Sequence, residues 1–167
     1  DRTRWLYTGE PAARSEARID AAEWLARTGR EDDILFGYEP LYLGAWERNS
    51  DFPDVVVPRA DSVLALRTIR REARPLGRGI WILDASEQNN LRPRLEMENR
   101  DPGPPGLFET RVFGPFLVLR TREPVLTADA YLAAAARVVL AGRSLGIGDA
   151  DVNMQTIERA DRTLRGY

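Results

Sequence analysis

The chain has 167 residues, 43% of them hydrophobic and 30% charged, with a net charge of −2. That length suits a single domain, which buries roughly 70% of its unfolded surface and needs no disulfide or metal to build a core. The charge balance offers no basic excess for a nucleic acid or an anionic membrane.

Histidine, cysteine and lysine are absent, and all 24 basic residues are arginine. Without histidine the usual general base and zinc ligand are missing. Without cysteine there is no thiolate, disulfide or sulfur-bound metal. Without lysine there is no Schiff base and no phosphate-loop lysine. A GC-rich genome accounts for arginine replacing lysine, but not for the missing histidine. Chemistry is left to Asp, Glu, Tyr, Ser, Thr and Arg. We expect no cofactor and no transition metal.

Residues 1–10 show no clear period. From Pro11 a helix is expected over about 13–28, with Ala17, Ala21, Trp24, Leu25 and Thr28 at helical spacing and Gly29 as terminator. A polar loop, GREDD, leads into ILFGY, a short buried strand. Pro40 fits the first turn of a helix, where its missing N–H costs nothing. Leu41, Tyr42 and Ala45 would share one side of that helix.

NSDFPD reads as a loop of turn formers, and VVVP as a strand stopped by proline. Asp61 has the chemistry of an N-cap for a helix over about 61–73. GIWILDAS, 79–86, is the clearest buried strand. Residues 87–106 read as a long polar loop. LFETRVF and FLVLRT flank Gly114-Pro115, which suggests a hairpin, although proline in a two-residue turn is unusual. Thr127 caps a helix through Ala141, and Asp149 or Asp151 caps a last one over about 151–164.

Strands separated by helices point to parallel strands joined by right-handed crossovers. The expected fold is a single α/β domain over 1–167. It would be three-layered and Rossmann-like, with a mainly parallel sheet, an added antiparallel edge hairpin and two C-terminal helices. The YLAAAARVVLA run is too short to span a membrane and carries Arg137.

Ligands of open α/β sheets sit beyond the carboxyl ends of the strands. Gly37-Tyr38-Glu39-Pro40 and Asp84-Ala85-Ser86 fall there. Tyr38, Glu39, Asp84 and Ser86 are therefore the candidate binding residues, suited to the hydroxyls of a sugar or to a cation. The plainer reading is a strand-to-helix corner with Asp84 or Ser86 as a cap. DADVN, 149–153, starts like a calcium loop, but Met154 and Ala160 stand where Gly and Glu are required. GIGDAD and the G-R-G at 77–79 lack the strand-glycine-helix context of a dinucleotide fingerprint. Arg67, Arg70, Arg71 and Arg74 lie three or four apart, either as a phosphate stripe or as a solvated face.

The run EARIDAAEWLARTGREDDILFGYEPLYLGAW resembles the soluble region after the last membrane helices of bacterial polytopic glycosyltransferases of the dolichyl-phosphate-mannose mannosyltransferase-like class. The matching features are a helix ending in Trp24-Leu25, a polar loop, the strand Asp33 to Phe36 and the aromatic corner Tyr38 to Pro40. FETRVFGPFLVLR has a similar look. The resemblance is one of pattern, closest in the first half.

It implies an extracytoplasmic domain at the cell membrane, partnered by the membrane-embedded part of the same polypeptide and by a sugar or glycolipid acceptor. The parent would use a polyprenyl-phosphate sugar donor. Its catalytic acid would lie in an early loop between membrane helices, so no catalytic residue carries over to this chain. Beginning as it does at Asp1, the sequence is expected to be a piece of that longer protein. The alternative is a stand-alone α/β domain that binds a small molecule or hydrolyses one with carboxylates.

Overall fold

The computed structural model describes residues 10–37, 40–57, 61–72, 74–84, 106–125 and 127–144. Within them the order is α1 (Glu10–Thr28), β1 (Ile34–Phe36), α2 (Pro40–Arg48), β2 (Val55–Val57), α3 (Ser62–Arg71), β3 (Gly79–Asp84), β4 (Phe108–Phe113), β5 (Phe116–Thr121) and α4 (Ala128–Ser144). The strands form one five-stranded sheet in the order β2-β1-β3-β5-β4. ILF, VVV and GIWILD thus share a sheet, as expected. The helix expected over 151–164, the DADVN and GIGDAD segments, and nearly all of the 87–106 loop lie outside the described residues.

The sheet is mixed, not mainly parallel. β1 runs parallel to β2 and to β3, while β5 runs antiparallel to both β3 and β4. The hairpin adds to one edge of the three parallel strands, as expected. Its second strand pairs along β3, so β3 becomes central and β4 takes the edge. The residues of β5 explain this: FLVLRT is buried at every position, as a strand covered on both faces must be.

The hairpin closes directly between Phe113 and Phe116. Gly114 has φ +55. A type II′ turn needs positive φ at its first central position only. The ring-fixed negative φ of Pro115 suits the second position. That order, Gly before Pro, is why a proline is tolerated here.

Alternation along the strands feeds two apolar clusters. Ile80, Ile82, Phe116, Val118 and Leu35 pack with Ala17, Ala21, Trp24 and Leu25 of α1 and with Leu41, Tyr42 and Ala45 of α2. Trp81, Leu117, Leu119, Ile34 and Phe36 pack with Ala65 and Leu66 of α3 and with Tyr131, Ala134, Ala135 and Val138 of α4. Neighbouring strand residues point to opposite faces, so the two clusters lie on the two sides of the sheet. The chain moves outward from β1 to β2 and then back across β1 to β3. Keeping one crossover hand while reversing direction places α2 and α3 on opposite faces.

Local chemistry sets the helix boundaries. α1 starts slightly earlier than the periodicity suggested, with Pro11 in its first turn. α2 begins at Pro40 and buries Leu41, Tyr42 and Ala45. Asp61 caps α3 by accepting from the Leu64 N–H at 3.0 Å. Thr127 Oγ1 caps α4 by accepting from the Ala130 N–H at 3.1 Å. The NSDFPD loop is less polar in effect than in composition. Phe52 is buried against Tyr42 and Trp46, and the Trp46 Nε1–H donates to the Pro53 carbonyl.

Candidate functional site

Because β1, β2 and β3 are parallel, their carboxyl ends share one edge of the sheet. β3 runs past the end of β1: Phe36 pairs with Trp81, and Asp84 lies further along. Gly37 leaves β1 with φ +92. Of the four candidate residues, Asp84 stands at this edge. Tyr38, Glu39 and Ser86 lie outside the described residues.

Asp84 does not cap a following element through any described contact. Its carboxylate accepts from both terminal nitrogens of Arg14, at 3.1 and 2.6 Å. The two side chains are 29% and 32% exposed. The Arg14 guanidinium also lies 4.9 Å from the centre of the Phe116 ring. α1 therefore brings a cation, β3 an anion and β5 an aromatic face to one spot. Such a fork-to-fork pair fixes geometry and neutralises charge. It leaves a polar ledge beside an aromatic ring, able to accept and donate hydrogen bonds to a hydroxylated molecule.

The amino ends of the same strands hold a second polar cluster, this one buried. Asp33, just before β1, is fully buried. It accepts from Arg78 Nε at 2.9 Å, from Arg78 Nη2 at 2.7 Å and from the Arg30 N–H at 2.9 Å. Arg78 Nη2 also donates to the Thr28 carbonyl at the end of α1. Arg120 of β5 reaches the same turn, donating to the Thr28 Oγ1 at 2.8 Å and to Glu109 Oε2 at 2.7 Å. Its guanidinium stacks 4.5 Å from the Trp24 ring centre. Hydrogen bonding to Arg120 is the main reason the Glu109 carboxyl is held below its ordinary range. Two guanidinium groups thus converge on the Thr28 carbonyl at the C-terminus of α1, where the helix dipole favours positive charge. This cluster joins α1, β1, β3, β4 and β5. Apart from the buried Arg120 Nε, which has no hydrogen-bond partner among the described residues, its groups are bound to one another, as in a structural clasp.

The G-R-G at 77–79 is part of that clasp. A Cβ at Gly77 would lie 2.7 Å from the Asp32 carboxyl, and one at Gly79 would lie 2.7 Å from the Trp81 ring. Both glycines serve close packing at the start of β3.

The stripe read at 67–74 divides. Arg67, Arg70 and Arg71 are exposed on α3, whereas Arg74 turns away to pair with Asp54. Tyr131 is enclosed, donating to Ser62 Oγ, and burial pushes its hydroxyl up to about 12. An open groove of about 430 Å³ lies between the later turns of α1 and α2, lined by Glu23, Ala26, Arg27, Arg48 and Asn49. Asn49 and Arg48 there donate to the Ala26 and Gly44 carbonyls.

Sequence reasoning found Asp84 but missed Arg14, Arg78 and Arg120. The available signal for Asp33 was its place between a polar loop and an apolar strand, where the carboxylate enters the interior and needs a cation. Among the described residues there is no group of three or more Asp or Glu placed to hold a metal ion, and no helix is long and apolar enough to cross a membrane. Compared with protein-family models, curated proteins and solved structures, the chain matches none.

Proposed function

We propose that this chain is an accessory, non-catalytic domain of a membrane glycosyltransferase that uses a polyprenyl-phosphate sugar donor, on the extracytoplasmic face of the membrane. The fold is read as Rossmann-like in three layers, with helix pairs on either side of the sheet. The carboxyl edge of β1 and β3 would hold the sugar or glycolipid acceptor. There Tyr38 would supply an aromatic face, and Glu39, Asp84 and Ser86 would bind hydroxyls.

The Arg14–Asp84 pair is the observation that carries the non-catalytic part of this reading. A general base must have a lone pair to accept a proton and a reason to take it. Both oxygens of the Asp84 carboxylate are engaged by the Arg14 guanidinium, an arrangement that suits hydrogen-bond recognition better than proton transfer. The resemblance to the glycosyltransferase class supports the rest. The residues that carry it, 16–46, make up the body of α1, β1 and most of α2. That unit is tied to β3 by the buried Tyr42 hydroxyl, which lies 3.2 Å from the Phe36 carbonyl and 3.1 Å from the Ile80 carbonyl.

The test is the reading frame that encodes Asp1. Several apolar stretches of about 20 residues upstream support the proposal. A start codon next to Asp1 refutes it and leaves the stand-alone domain.

A further inference from the structure

The helices on the two sides of the sheet carry unlike exposed charges. On the outer side of α1 and α2 the exposed charges are mixed, with Glu16, Asp20, Glu23 and Glu47 among Arg18, Arg27 and Arg48. On the outer side of α3 and α4 they are mostly basic. Arg67, Arg70, Arg71 and Arg137 are exposed there, against Asp61 and Asp129. Asp61 is committed to capping α3. Among the described residues, none of these four arginines makes an ion pair.

Both helices feed the same cluster with their inner faces, so their outer faces look the same way. On α3, Leu64, Arg67 and Arg71 follow one another at helical spacing, with Arg70 beside them. On α4 the exposed line is Ala130, Ala133, Arg137 and Leu140. Leu64 is 39% exposed and Leu140 43%. Two large apolar side chains therefore stand in the open among arginines that make no ion pair with the described residues.

We infer that the α3–α4 face is a docking surface for an anionic phospholipid bilayer. Arginine is suited to lipid phosphates through its planar fork of donors. Each basic group near such a surface adds attraction that falls off within a Debye length. The leucines favour a bilayer over a nucleic acid: they can enter the boundary between headgroups and acyl chains, whereas a phosphate backbone gives them no apolar partner. The inference stands on these two helices and does not require the glycosyltransferase reading.

Co-sedimentation of the full chain with vesicles tests it. The comparison is pure phosphatidylcholine against phosphatidylcholine containing phosphatidylglycerol, at low and high salt. The expected result is binding to the anionic vesicles at low salt that declines as salt rises, and little binding to neutral ones. Each Arg→Gln change at 67, 70 or 71 should weaken partitioning about fivefold, and Leu64→Ser with Leu140→Ser should weaken it further. Arg18→Gln with Arg30→Gln, on exposed positions elsewhere, should leave it unchanged. The salt series on the unaltered chain gives an answer even if a variant folds poorly. Equal binding to neutral vesicles, no binding at low salt, or loss of binding in the Arg18 and Arg30 variant would overturn the inference. So would retention on an oligonucleotide as strong as on anionic vesicles, which would assign the face to nucleic acid.

Discussion

Arg78 is bound through two of its guanidinium nitrogens to Asp33, 45 residues earlier in the chain, and the carboxylate it neutralises is fully buried. Removing the cation would strand that charge. A buried ion pair broken from one side costs about 3–5 kcal/mol. Arg78→Ala should therefore lower unfolding stability by that amount, read as a lower urea midpoint at unchanged slope. Arg14→Ala breaks a pair of similar geometry but one-third exposed, and should cost about 1 kcal/mol or less. Equal losses from the two variants would refute the contrast between buried clasp and exposed ledge.

Glu109 provides a pH test of the same clasp. Its folded-state acidity is raised, chiefly by the hydrogen bond from Arg120, so its pKa in the fold lies below that of the unfolded chain. The unfolded state then binds more protons, and stability increases with pH across the window between the two values. The contribution is present above the unfolded carboxylate pKa, about 4.3, and disappears as pH falls through the folded one. The stability advantage of the unaltered protein over Glu109→Gln should be present at pH 6 and should shrink on acidification below about pH 4. An advantage that is constant over this range would contradict the assignment.

Two glycines with positive φ should respond differently to alanine. At Gly37, with φ +92, an added Cβ meets nothing within 4 Å, so the cost is backbone strain alone. At Gly114, with φ +55, it would come within 2.9 Å of the Ala17 Cβ, adding a clash with α1 to the strain. Strain of this kind is of order 1–3 kcal/mol. Gly114→Ala should be the more destabilising in thermal unfolding, and the reverse order would contradict the hairpin's close seat on α1.

Much of the fold could be read from local pattern because local chemistry determines it. Pro40 starts α2, Asp61 caps α3 and Thr127 caps α4, each through a contact within three residues or a missing N–H. The sheet order was less legible. The pattern marks the hairpin as an edge addition but does not say that FLVLRT, its second strand, is the one that pairs along β3. The buried place of Phe52 was hidden by the turn formers around it; its ring lies where a side chain at Gly29 would otherwise be.

The site was legible only in part, for a different reason. Asp84 follows from its position at the end of an apolar strand. Its partner Arg14 is 70 residues away, and no periodicity links the two. The same holds for Asp33 with Arg78 and for Thr28 with Arg120. In a chain whose 24 basic residues are all arginine, composition does not single out the ones that turn inward.

The most direct measurement is an amide NMR titration of the isolated chain with a simple methyl hexopyranoside, run alongside an assay for glycosyl transfer and hydrolysis. Recognition without chemistry predicts saturable shifts in the millimolar range at the edge that contains Gly37, Leu83, Asp84 and Gly114, weakened by Asp84→Ala, with no turnover. Shifts confined to the opposite end, around Asp33 and Arg78, would contradict the account. Turnover by the unaltered chain that Asp84→Ala abolishes would contradict it as well.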